Sequence, residues 1–206
     1  MTFMTGWKAG ALWVLPVVLA GWLVSQSQAA DAPSATAYFA GGCFWCMEEV
    51  FEKVPGVISV ASGYMGGRVE HPTYEQVSAG GTGHAESVEV RYDPAKVSYP
   101  ALLDAFWHNV DPVTPNAQFC DHGSQYRAVI FYQDEDQKRL AEESKRAIEQ
   151  SGRLRQPIVT ELTKAAPFYP AEEYHQDFYK KNPIRYKFYK FNCGRAQRLE
   201  EVWGAG

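Results

Sequence analysis

A short apolar run, Ala37-Tyr38-Phe39-Ala40, leads into Gly41-Gly42-Cys43-Phe44-Trp45-Cys46, and a helical spacing of Met47, Val50, Phe51 and Val54 follows at once. Cys43 therefore stands at a helix N-terminus, where unpaired N–H groups and the helix dipole favour an anion. A thiol so placed has a lowered pKa and becomes a nucleophile. The two glycines let the chain turn tightly and leave the sulfur accessible. Read blandly, Cys43 and Cys46 are two small hydrophobes of a core helix. The Gly-Gly turn weighs toward reactivity.

Two further segments offer polar groups. Pro72-Thr73-Tyr74 precedes Gly83-His84-Ala85-Glu86, where a strand opens. A carboxyl at a strand mouth beside aromatics is raised by desolvation and acts as an acid near neutral pH. Taken alone, the local sequence describes Glu86 as an exposed strand residue. Cys120-Asp121-His122-Gly123-Ser124-Gln125-Tyr126 is a polar loop entering a strand, and tyrosine hydroxyls such as that of Tyr126 donate hydrogen bonds to a polar oxygen in a water-poor pocket. Cys43, Cys46, His71 and His84 lack any recognised zinc spacing, so no metal site is expected. His175 and His108 read as surface or structural histidines.

The elements that must hold these groups are legible in outline. A helix is expected over Cys46–Val54, stopped by Pro55-Gly56. Strands are expected over Val57–Tyr64, Glu86–Tyr92, Tyr126–Tyr132 and Pro157–Lys164. Val88, Val90 and Tyr92 alternate with Ser87, Glu89 and Arg91. Ser98 caps a helix running to Val110 with Leu102, Leu103, Phe106 and Trp107 as its stripe. Asp134–Ser151 is the clearest helix, acidic at its start and closed by Gly152. A short helix spans Ala171–Lys181. Strands mixed with helices indicate one α/β or α+β domain.

The 206 residues are 46% hydrophobic and 21% charged, which excludes wholesale disorder. A net charge of −4 without a basic block gives no reason to expect nucleic acid. Four cysteines are too few for a disulfide scaffold. Ala9–Val24 holds no charge, follows Lys8 and precedes Ser25-Gln26-Ser27-Gln28-Ala29. That order marks residues 1–29 as a secretory signal, with a membrane anchor as the alternative. Residues 30–36 form a linker and 37–206 the catalytic domain. The chain is expected to be exported to an oxidising compartment such as the periplasm.

Taken together, GGCFWCMEEVF, PGVISVASGYMGG, HPTYEQV, GTGHAESVEVRYDP, FWHNVDP, CDHGSQYRAVIFY and PFYPAEEYHQDFYKKNP closely resemble the peptide methionine sulfoxide reductases of type A. The resemblance runs from about Ala37 to Gly194. It implies a two-layer sandwich of a mixed sheet with helices around a ferredoxin-like core. It implies that Cys43 attacks the sulfoxide sulfur, that Phe44 and Trp45 wall the S-methyl group, and that Glu86 protonates the sulfoxide oxygen. Tyr74 and Tyr126 would donate hydrogen bonds to that oxygen, and Asp121 would share the polar pocket. The product is methionine from the S-epimer of its sulfoxide, free or in proteins, with Cys43 left as a sulfenic acid. No bound cofactor is implied, only an external thiol reductant such as a thioredoxin-like protein, and the chain is expected to act as a monomer.

The resolving thiol is where this sequence departs from the common pattern. Many relatives carry Gly where Cys46 stands and resolve through a glycine-rich tail, whereas the tail here is aromatic and charged. Cys193 is the first choice, Cys46 its rival, and Cys120 a third. A competing reading makes Cys43 and Cys46 a thiol–disulfide oxidoreductase pair. A third makes the chain a non-enzymatic binder of metal or peptide.

Overall fold

The computed structural model describes residues 1–4, 6 and 33–204. The expected signal segment Ala9–Val24 falls outside them. Among the described residues no helix is long and apolar enough to cross a membrane. Residues 33–204 lie in one compact unit.

In chain order the elements are β1 (Ala35–Gly41), α1 (Phe44–Glu52), β2 (Val57–Met65), α2 (Tyr74–Ser78), β3 (Ala85–Tyr92) and α3 (Tyr99–Trp107). Then follow β4 (Ala117–Gln118), β5 (Asp121–His122), β6 (Ala128–Tyr132), α4 (Glu135–Gln150), β7 (Glu161–Lys164) and β8 (Tyr169–Pro170). Helices α5 (Phe178–Lys181), α6 (Pro183–Asn192) and α7 (Arg195–Trp203) close the chain. Six strands form one mixed sheet in the order β7-β6-β1-β3-β2-β8, with only β6 and β7 parallel. Helices pack on this sheet as the layers of a ferredoxin-like sandwich.

Alternation along the strands builds the core. Phe39, Val88, Val90 and Ile130 point to the face covered by α1, α3 and α4, and Phe39 stacks on Phe51 and Phe106 at 4.8 and 5.3 Å between centroids. Ala40, Met65, Ala85, Val129 and Phe131 form a smaller cluster on the other face. Ser98 caps α3 as expected, and Asp134, expected as the first residue of its helix, caps α4, each side chain accepting a backbone N–H three residues on.

Four expectations shift. Helix α1 begins at Phe44 instead of Cys46, so Cys46 lies inside it. Tyr126 ends a single 3-10 turn, Ser124–Tyr126, and β6 starts only at Ala128. Gly123, at φ 133°, makes that turn possible. Residues 157–160 lie outside the sheet, Val159 N–H donating to Pro112 O in the loop after α3, and the strand starts only at Glu161. The stretch before Phe178 is irregular, because the Gln176 side chain bonds Ser62 N, Ser62 O and Ala171 O and holds the chain along the sheet edge.

Candidate functional site

Register brings the chemistry-bearing residues to one end of the sheet. Phe39 lies opposite Val88 in the β1–β3 pair, so Glu86 at the start of β3 stands beside the end of β1. Gly41 lies opposite Ala128, so Tyr126 just ahead of β6 arrives at the same end. Gly42 turns the chain at φ +80°, and a Cβ there would lie 2.5 Å from Gln118 Cβ, so glycine is needed twice over. Cys43 then occupies the N-cap of α1. The Glu172 carboxylate ties the start of α2 to the sheet, accepting from Tyr74 N–H and Tyr64 O–H at 2.9 Å each.

Cys43, Phe44, Trp45, Tyr74, Glu86, Asp121, Tyr126 and Tyr189 line one small cleft. Every residue expected at the nucleophile, the acid, the hydrogen-bond donors and the apolar wall is therefore in one place. Phe44 is buried against Tyr64 and His175. Trp45 stacks on Phe178 at 3.8 Å, and its indole N–H donates to His175 Nδ1 at 3.1 Å. His175 is thus a buried support for the apolar wall and not a surface residue. Its burial lowers its pKa, keeping it neutral. His108 is exposed beside Asp104 and Trp203. His84 spends both ring nitrogens on Gly67 N–H and Val69 O, which shapes the loop after β2 and leaves nothing for a metal.

Glu86 is not the exposed strand residue its local sequence describes. It is 3% exposed, and burial pushes its carboxyl up to about 8 against the single N–H that Phe44 offers at 3.1 Å. That hydrogen bond also corrects the expectation for Cys43, because the first N–H of the helix points at Glu86. Burial, then hydrogen bonding to Cys46 and the nearby Glu86, pushes the Cys43 thiol well up. The low value belongs to Cys46, brought down to about 6 first by Cys43 and then by Arg195, Tyr186 and Lys190, against its own burial. The two sulfurs share a proton as one acid pair.

Tyr186 and Tyr189 were not expected here. They sit three apart on α6 and pack against Cys46 and Cys43, which sit three apart at the start of α1. Tyr189 O–H also donates to Asp121 at 2.5 Å, while burial raises the Asp121 carboxyl. The matching spacing is visible in the sequence, but nothing local says that the two helices face each other.

The tail is docked. Arg195 reaches Asn109 O at 2.5 Å, Arg198 pairs with Asp111 at 2.8 Å, and Trp203 Nε1 donates to Val110 O at 3.0 Å. Cys193, the first choice as partner of Cys43, is bonded instead to Cys120 across 73 residues, with Cα atoms 4.8 Å apart. Cys43 and Cys46 are free thiols, both buried.

Comparison with known proteins agrees with this geometry. The model of the family "Peptide methionine sulfoxide reductase" matches residues 35–206. The peptide methionine sulfoxide reductase MsrA of Ligilactobacillus salivarius is 55% identical over 168 residues, 82% of this chain and 97% of that protein. MsrA of Bacillus subtilis is 52% identical over 169 residues, covering 82% and 96%. Among solved structures, methionine sulfoxide reductase A of Corynebacterium diphtheriae aligns with a TM-score of 0.66 at 32% identity, over 76% of this chain and 78% of that one. Reduced Mxr1 of Saccharomyces cerevisiae aligns with a TM-score of 0.70 at 29% identity, over 75% and 89%. The chain belongs to the peptide methionine sulfoxide reductase family and is an enzyme that reduces methionine sulfoxide by thiol chemistry.

Proposed function

We propose that Cys43 is the nucleophile, Glu86 the acid and Cys46 the resolving thiol in reduction of the S-epimer of methionine sulfoxide. The observation that carries this reading is a carboxyl held near 8 in the same cleft as the Cys43 thiol, with the Cys46 thiol buried beside it. A sulfoxide oxygen leaves poorly until protonated, and Glu86 is neutral at pH 7. Phe44 and Trp45 hold the S-methyl group. Tyr74 and Tyr126, both kept protonated by burial, donate to the oxygen. Asp121 is oriented by Tyr189.

The step balances as follows. Cys43 attacks sulfur and passes its proton to Cys46 while Glu86 gives its proton to the oxygen. The hydroxyl then passes from the methionine sulfur to the Cys43 sulfur as the S–O bond and the new S–S bond break, so methionine leaves as the thioether and Cys43 is left as sulfenic acid. Cys46 then condenses with Cys43, releasing water and forming a disulfide. What supports Cys46 over Cys193 or Cys120 is that the latter two are bonded to each other. Residues three apart on a helix have Cβ atoms about 5–6 Å apart, while a disulfide needs about 3.5–4.5 Å. Cys43, at the N-cap and outside the helical hydrogen bonding of its own N–H, can make up that difference.

An external dithiol of the thioredoxin kind restores the pair. Mxr1 of Saccharomyces cerevisiae is known in complex with Trx2. We further propose that residues 1–29 direct export, which the order of Lys8, the uncharged Ala9–Val24 run and the small residues supports. The test uses pure S- and R-sulfoxides with dithiothreitol. Methionine should form from the S-epimer alone, and the C43S substitution should stop it. Equal use of both epimers sinks the stereochemical assignment. Insulin reduction without sulfoxide reduction would favour a plain thiol–disulfide oxidoreductase.

A further inference from the structure

Helix α6 is apolar on two opposite sides. Tyr186 and Tyr189 turn inward to the cysteine pair. At 100° per residue, Ile184, Phe188 and Phe191 fall within a sector of about 60° on the other side. They are 86%, 69% and 85% exposed. The segment Phe178–Arg195 contains six Lys or Arg and no Asp or Glu, in a chain of net charge −4. Lys180, Lys181 and Lys190 are paired with Glu52 and Asp177, Glu173 and Glu49. Arg185 and Lys187 flank the apolar stripe on its two sides, and among the described residues neither has a carboxylate partner.

We propose that this outer face of α6 docks on a bilayer containing anionic phospholipid. Ile184, Phe188 and Phe191 would enter the headgroup–acyl boundary, and Arg185 and Lys187 would meet the phosphates. A stripe of bulky apolar side chains rimmed by cations without carboxylate partners, Arg185 lying over the Phe178 ring at 5.7 Å, matches that boundary, apolar at depth and negative at the surface. A protein partner would need a groove carrying the same layered pattern. Because the inner face of the same helix lines the cleft, docking holds the cleft at the membrane surface.

The test is vesicle sedimentation with a chain starting at Asp31, which removes the apolar Ala9–Val24 run. Relatives such as that of Ligilactobacillus salivarius consist almost wholly of this part, 97% of that protein being matched. Vesicles are phosphatidylcholine alone, or with about one third phosphatidylglycerol. Wild type should bind the anionic vesicles at least about tenfold better than the neutral ones, and less in high salt. Phe188→Ser with Phe191→Ser should lose at least about tenfold in binding. Arg185→Gln with Lys187→Gln should lose the preference for anionic lipid. All four side chains lie outside the cleft, so turnover of free sulfoxide and the melting temperature should be unchanged. Wild type left in the supernatant with both vesicles overturns the proposal. So does equal binding by the phenylalanine variant, or a concentration-dependent dimer that this variant abolishes, which would make a second copy the occupant.

Discussion

Replacing Glu86 by Gln separates the acid from the scaffold. The amide keeps an oxygen that can accept the Phe44 N–H, now bonded at 3.1 Å, but it has no proton to transfer. A positioned general acid contributes roughly 100- to 10,000-fold, so kcat/KM should fall by that range while saturation changes little. The wild-type rate should decline as pH rises through about 8, where Glu86 ionises, and the E86Q variant should lack that limb. Stability supplies an independent check. The carboxyl titrates at 4.5 unfolded and about 8 folded. Its protonated form is favoured by the fold, so its contribution is complete below about 4.5 and lost as pH rises through 8. Between pH 5 and 8 wild type should therefore lose about 3.5 kcal/mol that E86Q does not. Urea melts of both proteins at the two pH values measure the difference, since groups common to both cancel. Parallel pH dependence in the two proteins would refute a buried neutral carboxyl, and unchanged turnover would refute the acid role.

Three further outcomes follow from the cysteines and α6. Iodoacetamide alkylation of the reduced enzyme should show a first ionisation near 6 that the Cys46→Ser substitution removes; a profile unchanged by it would contradict the shared proton. Tyr189→Phe should lower kcat/KM roughly tenfold by losing the hydrogen bond to Asp121 and the polar hydroxyl beside Cys43, and should shift Cys43 alkylation to higher pH. Cys193→Ser opens a 73-residue loop and should cost up to about 4 kcal/mol in denaturant melts while methionine release persists; loss of release would return Cys193 to the chemistry.

The Ser98 cap, the acidic start of the helix at Asp134, the alternation of Val88, Val90 and Tyr92, and the turn before Cys43 were legible because each is set by neighbours in sequence. Glu86 was not, since its burial comes from β1 and the Cys43 loop, and its strand pattern looks the same whether or not they cover it. Cys43 misled for a related reason. Its place at a helix start was read correctly, but the N–H expected to serve it points to a carboxylate 42 residues away. The Tyr186–Tyr189 match to Cys46–Cys43 joins helices more than 130 residues apart. The tail's aromatics and charges do not say in sequence what they meet; Arg195, Arg198 and Trp203 dock it through Asn109, Asp111 and Val110.

The central claim is that Cys43 attacks and Cys46 resolves. The most direct measurement is a single turnover without reductant, followed by disulfide mapping by mass. One methionine per enzyme should appear from the S-sulfoxide, with a new Cys43–Cys46 bond and the Cys120–Cys193 bond still in place. A Cys43–Cys193 or Cys43–Cys120 bond would contradict the resolving step, and methionine release by the Cys43→Ser variant would contradict the account at its root.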